Sequence, residues 1–362
     1  MAEPTKPHPA TSESADSSGS SASAEARPAR IAVVLNGNAK SVTEDVIATL
    51  DHLVAGGDLF VSRRIEEAAE IARTIIDRGY DTVLTGGGDG TFTVMVTAVV
   101  GEADRRHLPR PRFGLLKLGT GNSLAWVVGA SAVKGGGLAM DIERLRKDKS
   151  SRPLRLVETE GTLSPFCGFG IDAVVLRDYN RTKAYLGRGP LKRFAPGALS
   201  YVVASVTQSI PSYLLRPTPH VRIVNHGAPA VRVGQRGTHG QRLIAKGETI
   251  YEGRANLVSA STIPFYGFGF RMFPYAEDRP DRMQLRVSTI GSVEFVREFR
   301  SIWRGDYESD SITDYLVEDI EVEIDPPTPF QIGGDQQGER DRVRLRLMEE
   351  PIRLADFYSP PG

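Results

Sequence analysis

Cysteine is almost missing from this chain of 362 residues: one occurs, Cys167. That excludes an intrachain disulfide and fits a reducing compartment, here expected to be the cytoplasm. Cys167 itself reads as a small buried filler rather than a reactive thiol. Net charge is missing as well. Lysine plus arginine number 45 and aspartate plus glutamate 45, so global charge points to no nucleic-acid partner. No apolar run approaches the roughly 18–20 residues that span a bilayer. His52, His107, His220, His226 and His239 show no zinc-ligand spacing. Trp126 and Trp303 are expected in the core rather than as ligand stackers.

What is present fits a globular protein: 40% hydrophobic and 25% charged residues, in a length suited to two domains. Residues 1–29 stand apart. Thr11 to Ala26 is rich in Ser, Ala and acidic residues and has neither a basic start nor an apolar h-region, so it reads as a disordered tail and not as a secretory signal. Order is expected from Ile31-Ala32-Val33-Val34-Leu35, a buried strand ending in the turn Asn36-Gly37-Asn38. Val42 to Val54 and Ile65 to Ile76 carry apolar residues at helical spacing. Phe92 to Val100 fits either a β-branched strand or one helical face, and its place after a strand and a glycine loop favours helix. A strand Phe113 to Leu118 and a helix Ser123 to Val128 follow. Alternating strands and helices imply a parallel α/β sheet over residues 30–150, with its ligand beyond the carboxyl ends of the strands. After Ser151 the segments are short and often alternate: Leu154–Val157, Val221–Val224, Gln284–Val287, Ile320–Ile324 and Val343–Leu347. Residues 151–362 are therefore expected to form a mainly antiparallel β domain with one helical insertion near Ala198 to Ser209.

The most specific feature is Thr85-Gly86-Gly87-Gly88-Asp89-Gly90-Thr91, directly after the short apolar stretch Asp81-Thr82-Val83-Leu84. Glycines let the backbone approach a ligand closely, and successive N–H groups in such a turn form an anion-binding concavity. A helix starting at its end would aim further donors at the same point. This predicts a phosphate site with an embedded carboxylate, Asp89, able to hold a metal. It is neither a P-loop nor a dinucleotide fingerprint, since Gly-Lys-Ser/Thr and the Gly-x-Gly-x-x-Gly spacing are both missing. A second tract, Gly119-Thr120-Gly121-Asn122, lies at the next strand end. Alone it reads equally as a helix cap or a ligand loop. Paired with the first tract it is a candidate second wall of one cleft.

With Asn36-Gly37-Asn38-Ala39-Lys40 ahead of them, these tracts resemble the diacylglycerol kinase catalytic-domain family, which includes sphingosine, ceramide and bacterial lipid kinases. The resemblance runs from about residue 30 to 350. It continues through Gly168-Phe169-Gly170-Ile171-Asp172-Ala173, through Phe273-Pro274-Tyr275-Ala276 with Asp278 and Asp281, and to Asp335–Glu339, where the family carries Asp-Gly-Glu. Gly-Gly-Asp-Gly-Thr is shared with NAD kinases and phosphofructokinases; the later motifs narrow the choice to lipid kinases. The resemblance implies a nucleotide domain, a C-terminal β-sandwich with a lipid pocket, and a cleft between them. It implies ATP phosphates on Gly86, Gly87, Gly88, Asp89, Gly90 and Thr91, with Asn36, Asn38, Lys40 and Gly119 to Asn122 lining the nucleotide. Mg²⁺ would sit at Asp89 and Asp281, and Asp335 would be the general base. The implied activity is transfer of the γ-phosphate of ATP to a hydroxyl of a diacylglycerol- or sphingoid-like lipid.

Three departures keep alternatives open. The terminal motif reads Asp335-Gln336-Gln337-Gly338-Glu339, so either Asp335 keeps the place of the base or Gly338-Glu339 does. Ser123 stands where many diacylglycerol kinases have aspartate, which is closer to the sphingosine-kinase form. Asp278-Arg279-Pro280-Asp281-Arg282 is not a compact acidic turn, so Asp281 fits a solvated loop as well as a metal site. The basic run Arg177, Arg181, Lys183, Arg188, Lys192 and Arg193 is either a solvated face or a contact with anionic lipid, which would make the protein peripheral at a membrane. A homodimer is a further expectation. The competing functions are phosphorylation of a soluble hydroxyl compound and a nucleotide-binding regulator without catalysis.

Overall fold

The computed structural model describes residues 30–54, 58–119, 122–131, 136–147, 150–170, 218–234, 239–267 and 269–357. The tail 1–29, the basic run within 177–193 and the expected helix at 198–209 lie outside these residues.

Three apolar runs form the centre of the first sheet: β1 (Ile31–Asn36), β3 (Thr82–Gly87) and β4 (Arg112–Lys117). All are buried along nearly their whole length, as strands covered on both faces must be. Between them run α1 (Glu44–Leu53), with Thr43 as its N-cap, and α2 (Glu67–Arg78), which ends at left-handed Gly79. The edge strand β2 (Leu59–Ser62) is only half-buried. Phe92 to Val100 is helical: it belongs to α3 (Asp89–Arg105), whose Phe92, Met95, Val96, Val99, Val100 and Ala103 are all buried. That periodicity outweighs the β-branched content of the segment. Two shorter helices, α4 (Ser123–Val128) and α5 (Gly137–Lys147), follow β4.

The sheet order is β2-β1-β3-β4-β18-β5, where β5 is Ser151–Leu154 and β18 is Ile352–Ala355. β1 to β4 and β18 are parallel neighbours, and β5 pairs antiparallel with β18. Two strands beyond residue 150, β5 and β18, complete the first sheet.

The remaining strands form a continuous antiparallel sheet of twelve. They are β6 (Val157–Thr159), β7 (Thr162–Ser164), β8 (Phe166–Gly170), β9 (His220–Asn225), β10 (Ala230–Val233), β11 (His239–Ile244), β12 (Thr249–Arg254), β13 (Leu257–Ser261), β14 (Met283–Ser288), β15 (Ile312–Val317), β16 (Asp319–Ile332) and β17 (Asp335–Leu347). β16 changes partner along its length. Ile320 to Asp325 pair with β9, and Phe330 to Ile332 pair with β8. The change falls at Pro326-Pro327-Thr328-Pro329, where prolines cannot donate to a ladder. Cys167, Phe169, Phe330 and Leu345 are buried in the sheet's own core, so the filler reading of Cys167 holds. Two short helices, α6 (Ser292–Arg297) and α7 (Phe299–Arg304), lie between β14 and β15.

α3 joins the two domains. One face packs on the first sheet, with Phe92 edge-on to Phe113 at 6.3 Å. The other meets β7, whose Leu163 N–H donates to Thr97 Oγ1 at 2.9 Å. Phe92→Ala removes a fully buried ring from that junction. It is expected to cost roughly 3–5 kcal/mol in chemical denaturation; a loss well below 1 kcal/mol would show that α3 is not the joint described.

Candidate active site

Three strand ends and one hairpin meet at the N-terminus of α3. At the end of β1, Asn36 Oδ1 accepts from the Asn38 N–H at 2.9 Å and Asn36 Nδ2 donates to Thr91 Oγ1 at 3.2 Å. The first turn is thus tied to the glycine tract. At the end of β3, Gly88 is the extended N-cap of α3, and the helix opens at Asp89, two residues earlier than Thr91. The Thr91 N–H is taken by the Gly88 carbonyl at 3.0 Å, while the first-turn amides of Asp89 and Gly90 have no acceptor within the helix. These donors carry the positive end of the helix dipole.

Glycine is required at two of these positions by close approach. A Cβ on Gly87 would run into Thr91 Oγ1 and lie 3.1 Å from Asn36 Cβ. A Cβ on Gly119 would strike the backbone of Gly87 and Gly88 and lie 2.7 Å from Asn122 Oδ1. The second tract therefore packs on the first. Asn122, in the left-handed region at φ 47°, closes it by accepting from the Gly119 N–H at 3.1 Å and donating to the Gly119 carbonyl. Thr120 and Gly121 lie outside the described residues. Asn38 donates to the Arg63 carbonyl at 2.8 Å, and Lys40 is exposed in the same turn.

Asp89 and Asp281, the carboxylates expected to hold Mg²⁺, are both engaged within the protein. Asp89 Oδ2 accepts from the Ser123 N–H and Oγ, each at 2.9 Å, and Oδ1 accepts from the Leu124 N–H at 3.4 Å. It thereby caps α4 from a distance, using three of about four lone-pair sites. Burial pushes its carboxyl pKa up, and the Ser123 and Leu124 donors hold it back. The Ser123 hydroxyl is the donor that Asp89 needs, whereas an ionised aspartate there could only accept. Asp281 is bridged by Arg279 at 3.0 Å and Arg282 at 2.7 Å. Its pKa lies below the usual range: burial acts upward, and the two guanidiniums outweigh it. Among the described residues no group of three His, Cys, Asp or Glu forms a metal cluster.

Asp335 comes from the other domain. Ile332 pairs with Asp335 across the two-residue turn Gly333-Gly334, both at positive φ (57° and 87°), the I′ hairpin geometry. The turn is held by Gly333 N–H to the Phe166 carbonyl and Gly334 N–H to Gln331 Oε1, each 2.9 Å. It rests on α3, since a Cβ on Gly333 would collide with Thr93 Oγ1 and lie 3.0 Å from Ser164 Oγ. The first residue after the turn, Asp335, lays its carboxylate over Gly90: a Cβ there would be 3.0 Å from Asp335 Cγ and closer still to Oδ2. Glu339 pairs with Pro329 further along β17 and is exposed. At 3.4 Å per residue it sits about 14 Å along the strand. The hairpin presents Asp335, not Glu339, to the glycine tract.

Asp335 retains open surface, yet its carboxyl is packed against the helix start. Burial, and secondarily the charge of Asp89, raise its pKa. A carboxyl raised in the folded state stabilises the fold below the ordinary value of 3.8, and that contribution is lost as pH rises through the native value. Asp335→Asn is therefore expected to melt at higher temperature than the parent protein near neutral pH, with the gain vanishing in acid. Equal melting at both pH values would contradict the strained carboxylate.

Sequence reasoning missed a pair beside these loops. Lys117, the last residue of β4, holds its ammonium 4.5 Å from the ring centroid of Trp126. Trp126, expected in the core, is 40% exposed and lies 6.3 Å from Phe265 of the second domain. A basic residue next to a strand-end glycine loop was the available signal.

Residues 30–155 match the model of the diacylglycerol kinase catalytic domain, so the resemblance read from the three tracts is a finding for that part of the chain. A curated relative, "Probable lipid kinase YegS-like" of Enterobacter sp. (strain 638), is 40% identical over 68 residues; the match spans 19% of this chain and 19% of the relative. A solved diacylglycerol kinase structure from Bacillus anthracis str. Sterne aligns at 13% identity with a TM-score of 0.59, over 92% of this chain and 98% of its own. Another structure from the same organism reaches 0.63 at 15% identity, over 92% and 99%. These structures share the two-domain fold, an α/β domain followed by an antiparallel β domain. The family-model match is confined to residues 30–155, most of which form the N-terminal α/β domain.

Proposed function

We propose that the protein is an ATP-dependent lipid kinase that transfers the γ-phosphate to a hydroxyl of a diacylglycerol- or sphingoid-like lipid. The observation that carries this reading is the Asp335 carboxylate resting on Gly90, at the start of the helix into which the glycine tract runs. Phosphoryl transfer requires little covalent chemistry from a protein; it requires positioning and compensation of charge. The amides of Gly88 to Gly90 and the α3 dipole face one point and suit the terminal phosphates. Asp335 enters from the opposite domain beside that point, where a base must lie to take a proton from an attacking hydroxyl. Its raised pKa makes it a stronger proton acceptor once ionised. Asn36 and Asn122 hold the neighbouring loops in place.

Mg²⁺ would add neutralisation of the phosphate charge. Asp89 and Asp281 do not fit as its primary ligands, because their oxygens already cap α4 and pair with two arginines. No step above is routed through the ion. No helix among the described residues is long and apolar enough to cross a membrane.

Two measurements test this reading. Labelled ATP incubated with the purified chain and diacylglycerol- or sphingosine-containing micelles should label the lipid. Asp335→Ala should lower kcat on the order of 10²–10⁴-fold, the usual contribution of a general base. Label passing to NAD, or ATP bound with no transfer to any hydroxyl acceptor, would overturn it. Gly90→Ala, which drives a methyl group into Asp335, should lower kcat by on the order of tenfold or more at unchanged fold; an unaffected rate would remove Asp335 from the reacting centre.

A further inference from the structure

Lys117 and Trp126 take no part in the chemistry proposed for Asp335 and the glycine tract. Lys117 is the residue of β4 in register with Gly87 of β3. Partners on neighbouring strands point to the same face of a sheet. A side chain on Gly87 would point at Thr91 and Asn36, so Lys117 stands on the α3 face beside the glycine tract. The alternation along β4 gives the same result: Phe113, four residues earlier, packs against Phe92 of α3. The lysine is half-buried and has no carboxylate partner among the described residues. Its ammonium lies on the indole of Trp126 instead. Trp126 belongs to α4, the helix that Asp89 caps, and its ring faces the second domain at Phe265, with a Cβ on Gly269 falling 3.8 Å away.

From this placement we infer that Lys117 is the cation that receives the nucleotide's phosphates, and that Trp126 holds it while they are absent. The inference rests on the kinase reading above. The chemistry follows from charge. Asp89 and Asp335 put carboxylates at the point where a triphosphate would add further negative charge, and backbone amides carry only partial positive charge. An aromatic face holds an ammonium weakly, whereas clustered phosphate oxygens attract it far more strongly in a partly desolvated cleft. The four-carbon stem of lysine allows the ammonium to exchange one for the other. A purely structural role, in which Lys117 only covers Trp126, makes no distinction between nucleotides of different charge.

Calorimetric titration of the full chain with ATP, ADP and adenosine separates the two. Lys117→Met is expected to weaken ATP binding on the order of tenfold or more, to weaken ADP less, and to leave adenosine unchanged. Lys117→Arg should retain most of the ATP affinity. ATP affinity and KM equal to those of the parent protein in Lys117→Met would overturn the assignment, as would an equal loss for adenosine and ATP. A parent protein that binds adenosine and ATP alike would also overturn it. If the parent binds no nucleotide at all, the kinase reading has failed first and the inference falls with it.

Discussion

Asp335 reaches the first turn of α3 because residue 90 has no side chain; any methyl group there would occupy the place of its carboxylate. That contact joins a residue from the far end of the chain to the glycine tract near its start. Much of the structure serves to fix it. The Gly333-Gly334 turn sets the direction of Asp335, and Thr93 and Ser164 admit the turn only because Gly333 lacks a side chain. The return of β18 into the first sheet, beyond β4, ties the chain end back to the same domain. The joint is therefore built from both domains and is not a loose approach of two independent units.

The electrostatics run against stability at this point. Asp89 and Asp335 are both raised by burial, and Asp335 also by the charge of Asp89. Asp89 is compensated by three donors at the head of α4, whereas burial and the charge of Asp89 both act upward on Asp335. The positive end of the α3 dipole is the favourable field at this point, since helix N-termini attract carboxylates.

How far the sequence revealed this depended on range. The first sheet and its glycine loops were legible because each is a local pattern: an apolar run, a turn, an apolar helical stripe. Asn36, Gly87 and Gly119 stood out for that reason, and the structure brings them close together. β2, α6 and α7 were missed because they are short, and α5 was missed although Leu138, Ile142 and Leu145 recur at helical spacing. β18 was missed because four residues carry no sign of a sheet whose other parallel strands end at Lys117. The choice between Asp335 and Glu339 needed the hairpin turn, which falls on Gly333-Gly334 and so decides which side chain meets α3. Asp89 looked like a metal ligand because nothing local shows that α4 will place Ser123 and Leu124 on it. Trp126 looked like core because its exposure is set by the second domain.

The central claim is that the amides of residues 88 to 90 hold a triphosphate with Asp335 facing its terminal phosphorus. A crystal structure of the protein with a non-hydrolysable ATP analogue tests this directly. The account predicts phosphate oxygens within hydrogen-bond distance of those amides and the Asp335 carboxylate on the acceptor side of the γ-phosphate. An analogue bound elsewhere, or bound with Asp335 turned away from the γ-phosphate, would contradict it.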